Sequence, residues 1–302
     1  MGLATHLTLD VQAPFDFRSS ATSHGWVALA PTAWLADRQV VQRVERLGTG
    51  TVGLLAITGA GTVDHPTINI CVHHRDRLTP PEQTEICTAV RHMFRHDEDF
   101  SEFYARCQAR GGPWTRLTAG LGRLLRSPTV FEDVIKTICT ANTRWSGTKR
   151  MVAHRVAALG DPYADHPTLR TFPTPQAIAC TTPDVFTKMG PLGYRGAYIY
   201  RLAQQVASGD LDLEALRDPS IPAEVLKRRL LAIKGVGPYA AHTLLMLLGH
   251  YEELAIDAEV RAFVARKYLK GKTPNDKEMR AVYEGWGKWR YLAYWFDITD
   301  DS

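Results

Sequence analysis

The residue types best suited to chemistry lie in one stretch of the C-terminal third. Leu230 to Leu248 reads LLAIKGVGPYAAHTLLMLL, and eighteen residues past Tyr239 comes Asp257, in Ala255-Ile256-Asp257-Ala258-Glu259-Val260-Arg261. Gly235 and Gly237 supply a tight turn that needs backbone freedom. Pro238 then falls at a first helical position, where its missing N–H is harmless and its φ is preset. Ala240 and Ala241 are small enough for the following helix to approach the preceding one closely. A helix start without side chains presents N–H groups outward with the helix dipole behind them, which suits a phosphate. Lys234, Gly235, Val236 and Gly237 would then hold a nucleic-acid backbone without reading bases. The plainer alternative is an αα-hairpin buried in a core.

Asp257 precedes a helix with apolar positions Val260, Phe263, Val264 and Tyr268. Taken alone it is an N-cap. Its distance behind a Gly-Val-Gly turn gives it a second reading, as an acid next to whatever the turn binds. Glu259 and Asp297 are nearby acids with weaker positional support. Two basic runs flank the segment, Lys227-Arg228-Arg229 and Arg266-Lys267 through Lys270 and Lys272. Each reads equally well as a solvated helix face.

The elements that must position these residues form two regions. Through about residue 110 the chain looks β-rich: Thr51–Thr58 and Thr67–His74 are strand-like, the second with period two, and Trp26, Val27 and Leu29 suggest a further strand. Short intervening segments favour an antiparallel sheet, since crossover helices do not fit between the strands. Pro80-Pro81 opens a helical stretch to about Arg110, broken by Gly111-Gly112-Pro113. Helical patterns then follow at Thr129–Thr140, Met151–Leu159, Pro173–Ala179, Pro183–Met189 and Ala197–Ser208. The fold class is α+β: an antiparallel sheet domain over residues 1–110, then an all-α domain over 111–302 with its hairpin near 224–249.

Bulk properties narrow the class. Hydrophobic content of 45% and charged content of 23% are those of a globular chain. The net charge of +4 is compatible with a polyanionic partner without naming one. The longest apolar stretch, Ala240–Leu248, is too short for a membrane span, and no charged leader precedes an apolar run, so a cytoplasmic location is expected. The five cysteines are scattered, which argues against disulfides and a structural zinc site.

In order along the chain, several segments resemble the helix-hairpin-helix DNA glycosylase superfamily. Asp97–Tyr104 and Gly120–Arg126 resemble the entry to its helical core, and Phe131–Asn142 its first long core helix. Gly193-Tyr194-Arg195 with Ala197-Tyr198-Ile199 resembles another helix start. Trp286-Gly287-Lys288-Trp289-Arg290 resembles the closing helix, and the hairpin with its following Asp is the family's central motif. The likeness spans nearly the whole chain, including a sheet-rich N-terminal part shared by the alkylpurine and oxoguanine branches.

The resemblance implies base excision repair on double-stranded DNA by a monomer, without a cofactor. Such enzymes flip a damaged nucleotide out of the duplex before cutting it. Asp257 takes the place of the essential acid, which stabilises positive charge developing on deoxyribose. Strand-nicking relatives use a lysine where this chain has Tyr239; Lys234 lies before the turn and does not match. Monofunctional hydrolysis is therefore expected, with Tyr239 in the base pocket or in ordinary packing. No cysteine follows Cys180, so the iron–sulfur branch is excluded. Tyr294 and Ile298, four apart, would face the pocket or belong to the core. The aromatic Tyr239 favours alkylated purines through cation–π contact. Asn142 falls instead where the oxoguanine branch places an Asn that enters the vacated stack, leaving oxidised purines as an alternative. A monovalent cation on the hairpin carbonyls, a non-catalytic DNA-binding module and a protein-binding hairpin also stay open.

Overall fold

A computed structural model describes residues 2–188 and 190–300. The chain divides into two compact units, one reaching Glu214 and one beginning at Ala215. That division lies well past residue 110, because the first unit holds the helices that follow the sheet as well as the sheet itself.

The first unit opens with β1 (Leu3–Asp10) and α1 (Phe17–Ala21), then β2 (Thr32–Leu35), β3 (Val40–Arg46), β4 (Val52–Gly61) and β5 (Pro66–His74). The sheet order is β1-β5-β4-β3-β2, antiparallel throughout. Both expected strands are present, within β4 and β5, and β5 alternates buried and less buried residues as its period-two pattern requires. Leu55, Ile57, Ile68, Ile70 and Val72 point to one face. They meet Ile86, Val90 and Met93 of α2 (Pro80–Met93), a helix started by a capping box between Thr79 and Glu82.

Two expectations change here. Trp26 and Val27 lie in a 3₁₀ turn, Gly25–Ala28, and not in a strand. Both neighbours are buried, which a half-covered strand does not allow, and the Trp26 indole N–H donates to Asp133 Oδ1 at 2.7 Å. The helical stretch to Arg110 is two helices, α2 and α3 (Ser101–Arg110). Between them Arg95 adopts φ +58°, and its buried guanidinium donates to Leu124 O and Glu98 Oε1. Asp97 and Glu98 also accept from buried Arg126, so this acidic run serves as the internal counter-charge of a loop.

The rest of the unit is α4 (Val130–Thr140), α5 (Trp145–Leu159), a hairpin of β6 (Pro162–Tyr163) and β7 (His166–Arg170), α6 (Pro175–Ala179), α7 (Pro183–Lys188) and α8 (Arg195–Ser208). All five expected helices are found. α5 starts six residues early, and the expected end of α7, Met189, lies outside the described residues. Among the described residues no helix is long and apolar enough to cross a membrane.

Arg43 of β3 reaches α4 with a two-pronged ion pair: Nη1 to Glu132 Oε1 at 2.9 Å and Nη2 to Oε2 at 2.6 Å. Lys136 Nζ lies 2.6 Å from Oε1, and all three side chains are about 1% exposed. Burial alone would push the Glu132 carboxyl up, but Arg43 and Lys136 outweigh it and hold it at about 2. Replacing one partner of such a buried cluster leaves uncompensated charge, at about 3–5 kcal/mol. Glu132→Gln is therefore expected to lower unfolding free energy in urea by that order. A depressed carboxyl stabilises the fold above its unfolded pKa of about 4.3, and that stability is lost as pH falls towards about 2. The variant's urea midpoint should accordingly fall less steeply than the wild type's on acidification below pH 4.

Candidate active site

The second unit contains α9 (Ala223–Ala232), α10 (Pro238–Leu247), α11 (Ala258–Tyr268), α12 (Asp276–Val282) and α13 (Arg290–Asp300). α9 buries Leu226 and Leu230, while α10 is apolar almost all round and buried from Ala240 onwards. Ala240 and Ala241, 4% and 0% exposed, are the small residues the close approach of the hairpin needs.

The turn between α9 and α10 is built from the inside. Val236 is buried, and its N–H donates to Ile233 O at 3.0 Å. Its side chain thus anchors the turn, and of the four residues expected to hold DNA it is the one directed into the protein. Gly235 adopts φ +97°, a conformation that strains any side-chain-bearing residue. Gly237 differs. At φ −93°, ψ −178° it is extended, and a Cβ there would meet nothing within 4 Å. Neither its conformation nor the protein's own packing demands glycine, so the bare position leaves room for something outside. Beyond it no side chain caps α10, and the Tyr239 and Ala240 amides begin the helix with no acceptor among the described residues. Lys234 is exposed beside them.

Asp257 is the N-cap of α11, in extended conformation, with Oδ1 accepting from the Val260 N–H at 2.9 Å. The carboxylate is exposed, and Oδ2 has no donor among the described residues. Tyr239 is 40% exposed. Its phenol pKa is raised first by burial and then by the Asp257 charge, with a smaller effect of Glu259. Tyr294 is fully buried, and its phenol is raised well above the ordinary range by burial, Tyr291, Tyr239 and Asp257 in that order. Asp257, Tyr239 and Tyr294 therefore share one electrostatic neighbourhood. Ile298, one turn further along α13, is half-buried. Tyr291 belongs with them: its ring lies 4.8 Å from that of Tyr294 at 69°. The spacing of three between these tyrosines was its only signal in the sequence.

The other acids take different places. Glu259 is exposed in the first turn of α11. Asp297 is buried and accepts from Lys267 Nζ, Tyr268 OH and Tyr283 OH. Of the basic runs, Lys227 pairs with Glu253 at 3.1 Å and Lys272 with Glu278 at 2.8 Å, while Arg228, Arg229 and Lys270 stand exposed. Tyr268, expected on the apolar face of α11, is 42% exposed but turns its hydroxyl inward to Asp297.

Asn142 belongs to the first unit. It is exposed at the end of α4, with φ +49°, a left-handed value that Asn tolerates. Its side-chain amide donates to Tyr194 OH at 3.2 Å, and its carbonyl accepts from Arg195 Nη2 at 3.3 Å. The Arg195 guanidinium also covers the Tyr194 ring at 4.6 Å. Among the described residues no three His, Cys, Asp or Glu side chains converge to hold a metal ion. A monovalent cation at the hairpin would depend on backbone carbonyls, of which those of Ile233 and Gly237 already accept one amide proton each.

Residues 135–288, half of the chain, match the HhH-GPD superfamily of base excision DNA repair proteins. The chain belongs to that superfamily. Over 222 residues it is 23% identical to the DNA-3-methyladenine glycosylase of Bacillus subtilis (strain 168), covering 71% of this chain and 72% of the relative. The solved 3-methyladenine DNA-glycosylase from Archaeoglobus fulgidus superposes with a TM-score of 0.75 at 19% identity, over 98% of both chains. The Clostridium acetobutylicum 8-oxoguanine glycosylase/lyase, solved with dsDNA containing cytosine opposite to 8-oxoG, gives 0.65 at 16% identity, over 99% of this chain and 98% of that one. At these identities the solved structures establish the fold.

The two glycines of the turn should separate on substitution. Gly235→Ala is expected to lower unfolding free energy by about 1–2 kcal/mol through its left-handed backbone. Gly237→Ala should stay within about 0.5 kcal/mol of wild type, as for an open surface site. Urea denaturation of both variants measures the difference.

Proposed function

We propose that this chain, a DNA glycosylase of the HhH-GPD superfamily, hydrolyses the N-glycosidic bond of an alkylated purine flipped from duplex DNA, without cutting the strand. The observation that carries the proposal is the state of Asp257. It is an exposed carboxylate fixed by a backbone amide through one oxygen, with no donor to the other among the described residues and with its charge reaching the Tyr239 phenol.

Breaking the base–sugar bond builds positive charge on deoxyribose. A carboxylate held next to that charge stabilises the transition state without reorganising, and its other oxygen can orient the attacking water or take its proton. The hairpin amides and the bare Gly237 surface would hold the DNA backbone, a contact independent of base sequence. Tyr239 occupies the position where lyase relatives carry a nucleophilic lysine, and a phenol forms no imine. Water is then the nucleophile.

Support for an alkylated base comes from one of the tyrosines. Tyr239, 40% exposed, offers an uncharged, electron-rich ring, whereas Tyr294 is buried. Such a ring favours a cationic alkylpurine through cation–π contact. The relatives named as 3-methyladenine glycosylases point the same way. An oxidised purine is the second reading, favoured by the exposed, left-handed Asn142 and by the 8-oxoguanine glycosylase/lyase likeness.

Asp257→Asn tests the assignment cleanly, because Asn is as good an N-cap as Asp and the start of α11 is retained. The variant is expected to release methylated base at least about 100-fold more slowly than wild type, with binding to damaged duplex unchanged in a gel-shift titration. Equal loss of binding and release would contradict the catalytic role. Borohydride added during turnover is expected to trap no protein–DNA adduct; a trapped band would refute hydrolysis by water alone. A wild-type protein that binds methylated duplex but frees no base would be a non-catalytic binding module.

A further inference from the structure

Asp297 lies on α13 three residues after Tyr294, so the two side chains leave neighbouring parts of one helix face. It is 5% exposed, and its carboxylate is hydrogen-bonded on both oxygens. Oδ2 accepts from the Tyr268 hydroxyl at 2.5 Å and the Tyr283 hydroxyl at 2.8 Å, and Oδ1 accepts from Lys267 Nζ at 3.0 Å. Lys267 and Tyr268 form the last turn of α11, the helix that Asp257 caps at its other end. The Tyr283 ring stands edge-on to Tyr268 at 6.2 Å and to Tyr294 at 6.3 Å. One carboxylate therefore pins both the far end of the helix carrying Asp257 and the ring that backs Tyr294.

Hydrogen bonds to an ionised acceptor are among the stronger ones, and a buried acceptor that loses its donor is penalised. Neither phenol can swing away without leaving Asp297 short of a donor. We propose that Asp297 is a positioning residue for base release: through Tyr283 and α11 it holds the buried ring of Tyr294 at a fixed separation from Asp257. It touches no DNA in this role. The inference rests on the assignment of Asp257 made under Proposed function.

The test uses full-length Asp297→Asn, Asp297→Ala and Tyr283→Phe, with Asp257→Asn in parallel. Release of methylated base is followed under single turnover with enzyme in excess, and affinity for the same duplex and thermal melting are measured alongside. Small displacements of catalytic groups carry large rate penalties, so Asp297→Ala and Tyr283→Phe are expected to slow release by about tenfold or more, with affinity within about twofold of wild type. Asp297→Asn, which keeps an oxygen to accept from the phenols, should recover part of the rate lost in Asp297→Ala. Unchanged rates, or rate, affinity and melting temperature falling together, would overturn the inference. Tyr283→Phe removes one oxygen atom from a retained ring and decides the matter if the Asp297 variants do not fold. Wild-type release by Asp257→Asn would sink the catalytic assignment and this inference with it. Loss in Asp257→Asn with full activity in Tyr283→Phe and Asp297→Asn would sink the positioning role alone.

Discussion

The first amides of a helix point along its axis, carry the positive end of the dipole and have no partner within the helix. At the start of α11 one of them, Val260 N–H, is taken by Asp257 Oδ1 at 2.9 Å. That bond fixes an exposed carboxylate relative to the backbone, and its second oxygen has no donor among the described residues. In the same unit α10 is buried from Ala240 onwards and Val236 anchors the turn before it, while Tyr239 feels the charge of the acid.

Three carboxylates show how environment sorts identical chemistry into different roles. Glu132 is enclosed by Arg43 and Lys136 and ties the sheet to α4. Asp297 is equally enclosed, but by two phenols and one ammonium, and joins α11 to α13. Asp257 is the exposed one, and among the described residues its donor is the Val260 amide of its own helix. Asp297 is 5% exposed and hydrogen-bonded on both oxygens, whereas Asp257 faces solvent.

Much of this was legible from residue types. The N-cap role of Asp257, the hairpin around Gly235 and the helix start at Pro238 follow from local backbone chemistry, which acts over a few residues and so leaves a local signal. β5 was visible because it buries one face against α2 and so alternates, while β4, buried on successive residues Gly53–Leu55, showed itself by its run of apolar residues between glycines. Other features depend on distant partners and leave no periodic trace. Trp26 looked like a strand residue until its indole met Asp133, more than a hundred positions away. The acidic run at Asp97 was placed inside one helical stretch because nothing local announces that Arg95 and Arg126 are buried against it. Nor does anything local announce that the Val236 side chain turns into the protein while Lys234 and Gly237 stay exposed. Tyr291 and Tyr283 were missed for a related reason, since aromatic residues at helical spacing signal core before they signal a site.

The most direct test of the central claim is the fate of a duplex carrying one 3-methyladenine or 7-methylguanine, compared with the same duplex carrying 8-oxoguanine. Free base and strand integrity are followed with and without alkali. A water-using alkylpurine glycosylase with Asp257 as its acid releases the methylated base faster and leaves an abasic strand that breaks only after alkali. Strand breakage without alkali, or faster release of 8-oxoguanine, would contradict it.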